Sequence, residues 1–237
     1  MGPQAARPIV MAWSGGKDST LALEALLADP QWTPVALVTS VTQPYDRISM
    51  HGVRRTLLEQ QAAALGLPLF VAELDAAADN ARYEAAWAAA LAAVRQALGP
   101  VADIAFGDLY LEDVRAHRDA QCRALGWTPH YPLWGLDTRA LAEQFVREGH
   151  RAVLTCVDTT QLDAAFAGRP FDDALLRELP DTVDPCGEGG EFHTFVWHAP
   201  AFRAPIPVEH GERVRRDARF EYVDLLAASA ATTPTPA

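Results

Sequence analysis

Residues 9–20 read IVMAWSGGKDST, and the rest of the chain is placed outward from them. Ile9, Val10 and Met11 read as the end of a buried strand. Ser14, Gly15 and Gly16 form a turn. Thr20, Leu21, Ala22, Leu23, Glu24, Ala25, Leu26 and Leu27 read as a helix of good helix formers. A turn that opens a helix presents unpaired backbone N–H groups at the positive end of the helix dipole, which makes an anion site. Paired glycines let the backbone approach a phosphate with no Cβ in the way. Lys17 adds a point charge, and Ser14 and Ser19 add hydroxyl donors. The Walker pattern is excluded, because it needs a glycine where Met11 stands.

The bulk numbers narrow the rest. The chain has 237 residues, 49% hydrophobic and 22% charged, an ordinary globular composition for one large domain or two small ones. Its net charge of −11 argues against a nucleic-acid partner, which needs clustered Lys and Arg. The N-terminal MGPQAARPIV has no signal-peptide pattern, and no apolar run approaches a membrane span. Cys122, Cys156 and Cys186 are far apart in sequence and form no C-x-x-C. That points to a reducing cytoplasm and no structural zinc.

After the first helix, Asp29–Pro30 is a stop signal, and residues 34–41, PVALVTSV, read as a second buried strand. Strand, helix, strand makes a right-handed βαβ unit. Ligands of such sheets sit beyond the carboxyl ends of the strands. Thr39 and Ser40 therefore either lie near an adenine or simply end the strand. His51 and Arg54 open the helix that follows, which ends at Gly66. His51 is either a donor to a phosphate or a structural histidine. A third strand at residues 68–73, an alanine-rich helix at 83–98 and a fourth strand at 103–106 come next. Gly107–Asp108 follows on the ligand side. In the helix at 111–124, Arg115 and Arg118 can point one way; they serve an anion or a solvated face.

The aromatic, proline-rich WTPHYPLW at residues 127–134 reads as a domain boundary. Asp137 is placed to cap another helix. A strand at 151–158 and a helix at 171–179 precede a second unusual stretch, DPCGEGGEFHTF at 184–195. Its glycines let Glu188 and Glu191 approach a ligand, a Mg²⁺ ion or an ammonium, or act as a base. The other reading is a tight turn with solvated glutamates. His193 and His198 fall on opposite faces of a strand and make a poor metal pair. Residues 213–222 read as one final strand. The domains are expected at 1–130 and 131–225, with a disordered low-complexity tail at 226–237.

The string SGGKDS resembles the PP-loop of the ATP pyrophosphatases. With MHGVR, LLEQQAAALGLP, GDLYLEDVR, YPLWGLD and DPCGEGGEFHTFV in order, the chain resembles the diphthine–ammonia ligase family over residues 9–200. The resemblance implies an α/β fold. A parallel-sheet, adenine-nucleotide α-hydrolase-like (Rossmann-like) domain would be followed by a smaller α+β C-terminal domain. It implies an amide ligase: ATP adenylates a carboxylate, ammonia attacks the acyl-adenylate, and AMP and pyrophosphate leave. It implies nucleotide binding by Ser14, Gly15, Gly16, Lys17, Asp18, Ser19, Thr39, Ser40, His51, Gly107 and Asp108. Lys17, Asp18, Glu188 and Glu191 would be catalytic, and Asp18 would hold Mg²⁺. Partners would be ATP, ammonia or ammonium and a carboxylate, with a homodimer possible. The segment GDLYLEDVRAHR is similar to the family's bacterial branch, which implies a small carboxylate. The alternatives are diphthine on an elongation factor, or a non-catalytic ATP-binding sensor.

Overall fold

The computed structural model describes residues 5–48, 51–75 and 79–228. Its first half is built on strands β1 (Arg7–Ala12), β2 (Trp32–Thr42), β3 (Arg47–Ile48), β4 (Leu69–Leu74), β5 (Asp103–Ala105) and β6 (Thr128–His130). The parallel strands lie in the order β4, β2, β1, β5, β6. The little β3 adds antiparallel to the carboxyl end of β2, at Val41 and Thr42. Helices α1 (Lys17–Ala28), α2 (Arg55–Leu65), α3 (Asn80–Leu98) and α4 (Glu112–Ala124) make the crossovers and cover the sheet. Strands covered on both faces read as continuous apolar runs; Ile9, Val10, Met11, Ala36, Leu37 and Val38 are accordingly buried. In α3 the expected close packing comes from Trp87, Ala90, Leu91 and Val94, which are buried in the same layer as Val10 and Ile104.

The second half has α5 (Thr138–Arg147), β7 (Arg151–Asp158), α6 (Asp173–Glu178), β8 (Phe192–His198), β9 (Val208–Arg216) and β10 (Phe220–Ala227). Its strands form an antiparallel sheet in the order β8, β7, β10, β9. Asp137 caps α5 as expected, accepting from Ala140 N at 2.7 Å. The architecture is thus a mostly parallel Rossmann-like sheet followed by a smaller antiparallel α+β unit. The two share one continuous apolar core.

Three expectations are corrected. Residues 213–222 are not one strand but parts of the β9–β10 hairpin, which turns at Asp217 and Ala218. WTPHYPLW is not all linker, because Thr128–His130 within it pairs with β5. Leu226 and Ala227 of the expected tail belong to β10, Ala228 N donates to Pro207 O, and residues 229–237 lie outside the described residues. Among the described residues no helix is long and apolar enough to cross a membrane.

Candidate functional site

In the parallel sheet, β1 is followed by crossovers that build outward to β2 and β4 on one side, and later strands β5 and β6 fill the other. The carboxyl ends of β1 and β5 therefore bound the switch point where such sheets hold ligands. A cavity of about 220 Å³ opens there, lined by Ser14, Gly16, Lys17, Asp18, Ser19 and Asp108 among others. Gly15 has a φ of +76°, the left-handed region that glycine occupies freely. Ser14 Oγ accepts from Gly16 N at 3.2 Å, and Ser19 Oγ donates to Gly16 O at 2.9 Å. The turn is thereby locked around the start of α1. Gly107 passes so close to that helix that a Cβ there would sit 2.9 Å from Ser19 N.

The C-terminal unit closes the site from the other side. Strand β8 lies along the turn: Thr194 Oγ1 accepts from Lys17 N at 3.1 Å, and Val196 N donates to Gly15 O at 2.9 Å. Gln61, fully buried on α2, ties three elements together. It donates to Gly15 O at 2.9 Å and Val196 O at 2.7 Å, and accepts from Trp13 Nε1 at 2.8 Å. The loop CGEGGE is organised by Asp184, which accepts from Cys186 N and from Thr138 Oγ1. Lys17 Nζ reaches into that loop, donating to the Cys186 carbonyl and to Asp18 Oδ1 at 2.8 Å. It lies 5.8 Å and 5.7 Å from the ring centres of Phe171 and Phe192. Burial opposes the Lys17 charge, but Asp18 and the neighbouring groups outweigh it and raise its pKa, so the ammonium stays protonated.

Most residues expected at the site are brought together: Ser14, Gly16, Lys17, Asp18, Ser19, His51, Gly107, Asp108 and Glu188 all line the cavity. Glu188 Oε1 accepts from Leu109 N at 2.8 Å. Burial raises the Glu188 pKa, with Asp18 adding to the effect against the Leu109 donor. Asp108 pairs with Arg118, whose Nε lies 2.6 Å from Asp108 Oδ2. Arg115 and Arg118 part company: Arg118 reaches the cavity, while Arg115 stacks on Tyr131 and Trp134. Gly15 stands behind the lining against Gln61. Glu191 also stays outside it. Its Oε1 accepts from Asp184 N at 3.0 Å, and its Oε2 is buried with no hydrogen-bond partner among the described residues. Thr39 and Ser40 lie within β2, paired with Val71 and Ala72, because the strand continues to Thr42. Neither lines the cavity. Glu112 is exposed on the first turn of α4.

His51 sits in a turn before α2, which starts only at Arg55. Its ring packs against that of His193, tilted by 31° with centres 4.3 Å apart, and both line the cavity. Burial, then the His193 and Lys17 neighbours, hold the His51 pKa well below its ordinary value. Burial and Lys17 hold His193 down to about 4. The pair is neutral at pH 7. His193, Thr194, Cys186, Phe192 and Gln61 carry no motif of their own in the sequence. The only hint of them is their position inside or beside the quoted blocks.

With the geometry in place, comparison with known proteins is informative. Residues 6–129 match the family model "Diphthamide synthase N-terminal domain", and residues 137–225 match "Diphthamide synthase C-terminal domain". The diphthine–ammonia ligase of Bos taurus is 29% identical over 123 residues, covering 50% of this chain and 46% of the relative. The diphthine–ammonia ligase of Danio rerio is 29% identical over 122 residues, covering 47% and 46%. The chain spans about half the length of these curated relatives.

Proposed function

Because the chain belongs to the diphthamide synthase family, we propose that it is an ATP-dependent ligase that joins ammonia to a carboxylate and releases AMP and pyrophosphate. The observation that carries this reading is the meeting of two distant motifs. Lys17 of SGGKDS donates to the Cys186 carbonyl of CGEGGE at the carboxyl ends of β1 and β5. One cavity thus combines a phosphate-binding helix start with an acidic loop.

The chemistry follows from the groups present. A carboxylate is a poor electrophile until an oxygen of it displaces pyrophosphate from the α-phosphorus of ATP. Ammonia then attacks the acyl carbon, AMP leaves, and the nitrogen gives up a proton. The helix start, Lys17, Ser14 and Ser19 bind and orient the phosphates. Glu188 and Asp18 place negative charge where an ammonium ion would gather. The neutral His51 and His193 rings border the same cavity and add no positive charge against an ammonium. Mg²⁺ would be held here by Asp18, Asp108 and Glu188, which bring carboxylate oxygens to the cavity, Asp18 and Asp108 being shared with Lys17 and Arg118. Among the described residues the metal-like cluster of three is Glu24, Glu148 and His150, away from this cavity. Carboxylates standing apart suit an ion held by one or two of them together with phosphates. Such an ion would offset phosphate charge during displacement.

A small acid is the substrate class we favour over a protein side chain, on the sequence of residues 107–118 described above. The test supplies ATP, Mg²⁺ and ammonium with a cell extract separated into small-molecule and macromolecular fractions. AMP formed only with the small-molecule fraction is the expected result. AMP formed only with macromolecules returns diphthine on a protein to the front. ATP binding without AMP from either fraction favours a sensor.

A further inference from the structure

A second cavity, of about 260 Å³, lies beside the nucleotide cavity and is lined by Tyr45, Arg47, Gly52, Arg216, Tyr222 and Asp224 among others. The two share a wall, the turn at His51–Gly52: His51 faces the first cavity and Gly52 the second. The turn is packed hard against Tyr222, since a Cβ on Gly52 would sit 2.8 Å from Tyr222 Cδ1. Each half of the molecule contributes, β3 and its flanking turns from one and the β9–β10 hairpin from the other.

The charged groups in and around it are unevenly paired, with Arg216 exposed on β9. Arg47 and Arg54 both engage Asp224, at 2.6 Å each. Arg215, next in sequence to Arg216, is paired with Glu221. Arg216 has no carboxylate partner among the described residues. Its guanidinium carbon instead lies 5.0 Å from the Tyr45 ring centre and 5.7 Å from that of Tyr222. Stacking holds a guanidinium by its faces and leaves its N–H edges available for two parallel bonds to a carboxylate. The tyrosine rings supply flat apolar walls.

We propose that this second cavity receives the acid substrate of the ligase, and that the substrate is a small, flat dicarboxylic acid. Arg216 grips one carboxylate, Tyr45 and Tyr222 flank the body, and the other carboxylate is directed past the His51–Gly52 turn towards the nucleotide. Arg216 is then the specificity-determining residue. The inference rests on the ligase reading, and its test separates the two. Benzoate, phthalate and 2,6-naphthalenedicarboxylate are titrated by ligand-observed NMR into the wild-type chain, Arg216→Ala and Arg216→Lys, with ATP affinity measured on the same samples. At least one dicarboxylate binds the wild type better than benzoate. It binds Arg216→Ala at least ~10-fold more weakly, with Arg216→Lys between the two and ATP affinity unchanged. Binding that Arg216→Ala leaves intact, or no dicarboxylate binding to the wild type, overturns the proposal. Arg216-dependent acid binding by a wild type that fails to bind ATP sinks the ligase reading and leaves the acid site standing.

Discussion

At the residue scale, Gln61 shows how a neutral side chain can hold a site together. Its amide satisfies two buried carbonyls and one indole N–H. A hydrophobic replacement of similar volume keeps the packing but leaves those partners unpaired. Gln61→Leu is expected to lower the stability of the chain by about 2–4 kcal/mol in chemical denaturation. A change within about 0.5 kcal/mol would show that the three bonds contribute little. The block LLEQQAAALGLP contains Gln61 without singling it out, because a glutamine on a helix is ordinarily solvated, and only the docking of β8 reveals that this one is buried. The opposite holds for Ser14, Lys17 and Ser19. The local turn chemistry of SGGKDS is enough to expect them at an anion site, and all line the cavity. Thr39 and Ser40 lie outside the cavity lining, inside a strand that ends at Thr42, one residue beyond the expected 34–41.

At the element scale, the β9–β10 hairpin is the least legible part. Its turn places Asp217 and Ala218 both at φ +53°, and Arg219 N donates to Arg216 O at 3.0 Å. Such turns usually carry Asn-Gly or Asp-Gly. Without the glycine, residues 213–222 look uninterrupted. The helices of the first half were easier, since propensity and stop signals such as Gly66 act locally. The hairpin is fastened to the first half through Asp224, which bonds Arg47 and Arg54. Burial works against the Asp224 carboxylate, yet the two guanidinium groups outweigh it and hold its pKa down at about 2, against 3.8 ordinarily. The folded state therefore binds the proton less readily than the unfolded one. The contribution is full above pH 3.8 and fades as pH falls through about 2. Asp224→Asn should cost about 1–2 kcal/mol at neutral pH, a figure reduced for the exposure of Arg54. Melting curves for the two proteins should converge at the acid end. A constant gap at every pH would assign the loss to packing instead of charge.

At the scale of the whole molecule, neither half is sufficient alone. The first supplies the helix start and the carboxyl ends of β1 and β5. The second supplies Thr194, His193 and the loop that receives Lys17. Sequence reading located both motifs but could not show that they touch, because that contact depends on how an antiparallel sheet seats against a parallel one. The same seating creates the second cavity and the His51–His193 contact. The reaction proposed for this composite cavity is cleavage of ATP between its α- and β-phosphates to activate an acid. Its most direct test compares nucleotide products from the wild type and Lys17→Ala, side by side, with ATP, Mg²⁺, ammonium and both extract fractions. The wild type is expected to yield AMP and pyrophosphate, reduced roughly 10²-fold or more in the variant. ADP and phosphate as the products, or AMP formed equally well by Lys17→Ala, would contradict it.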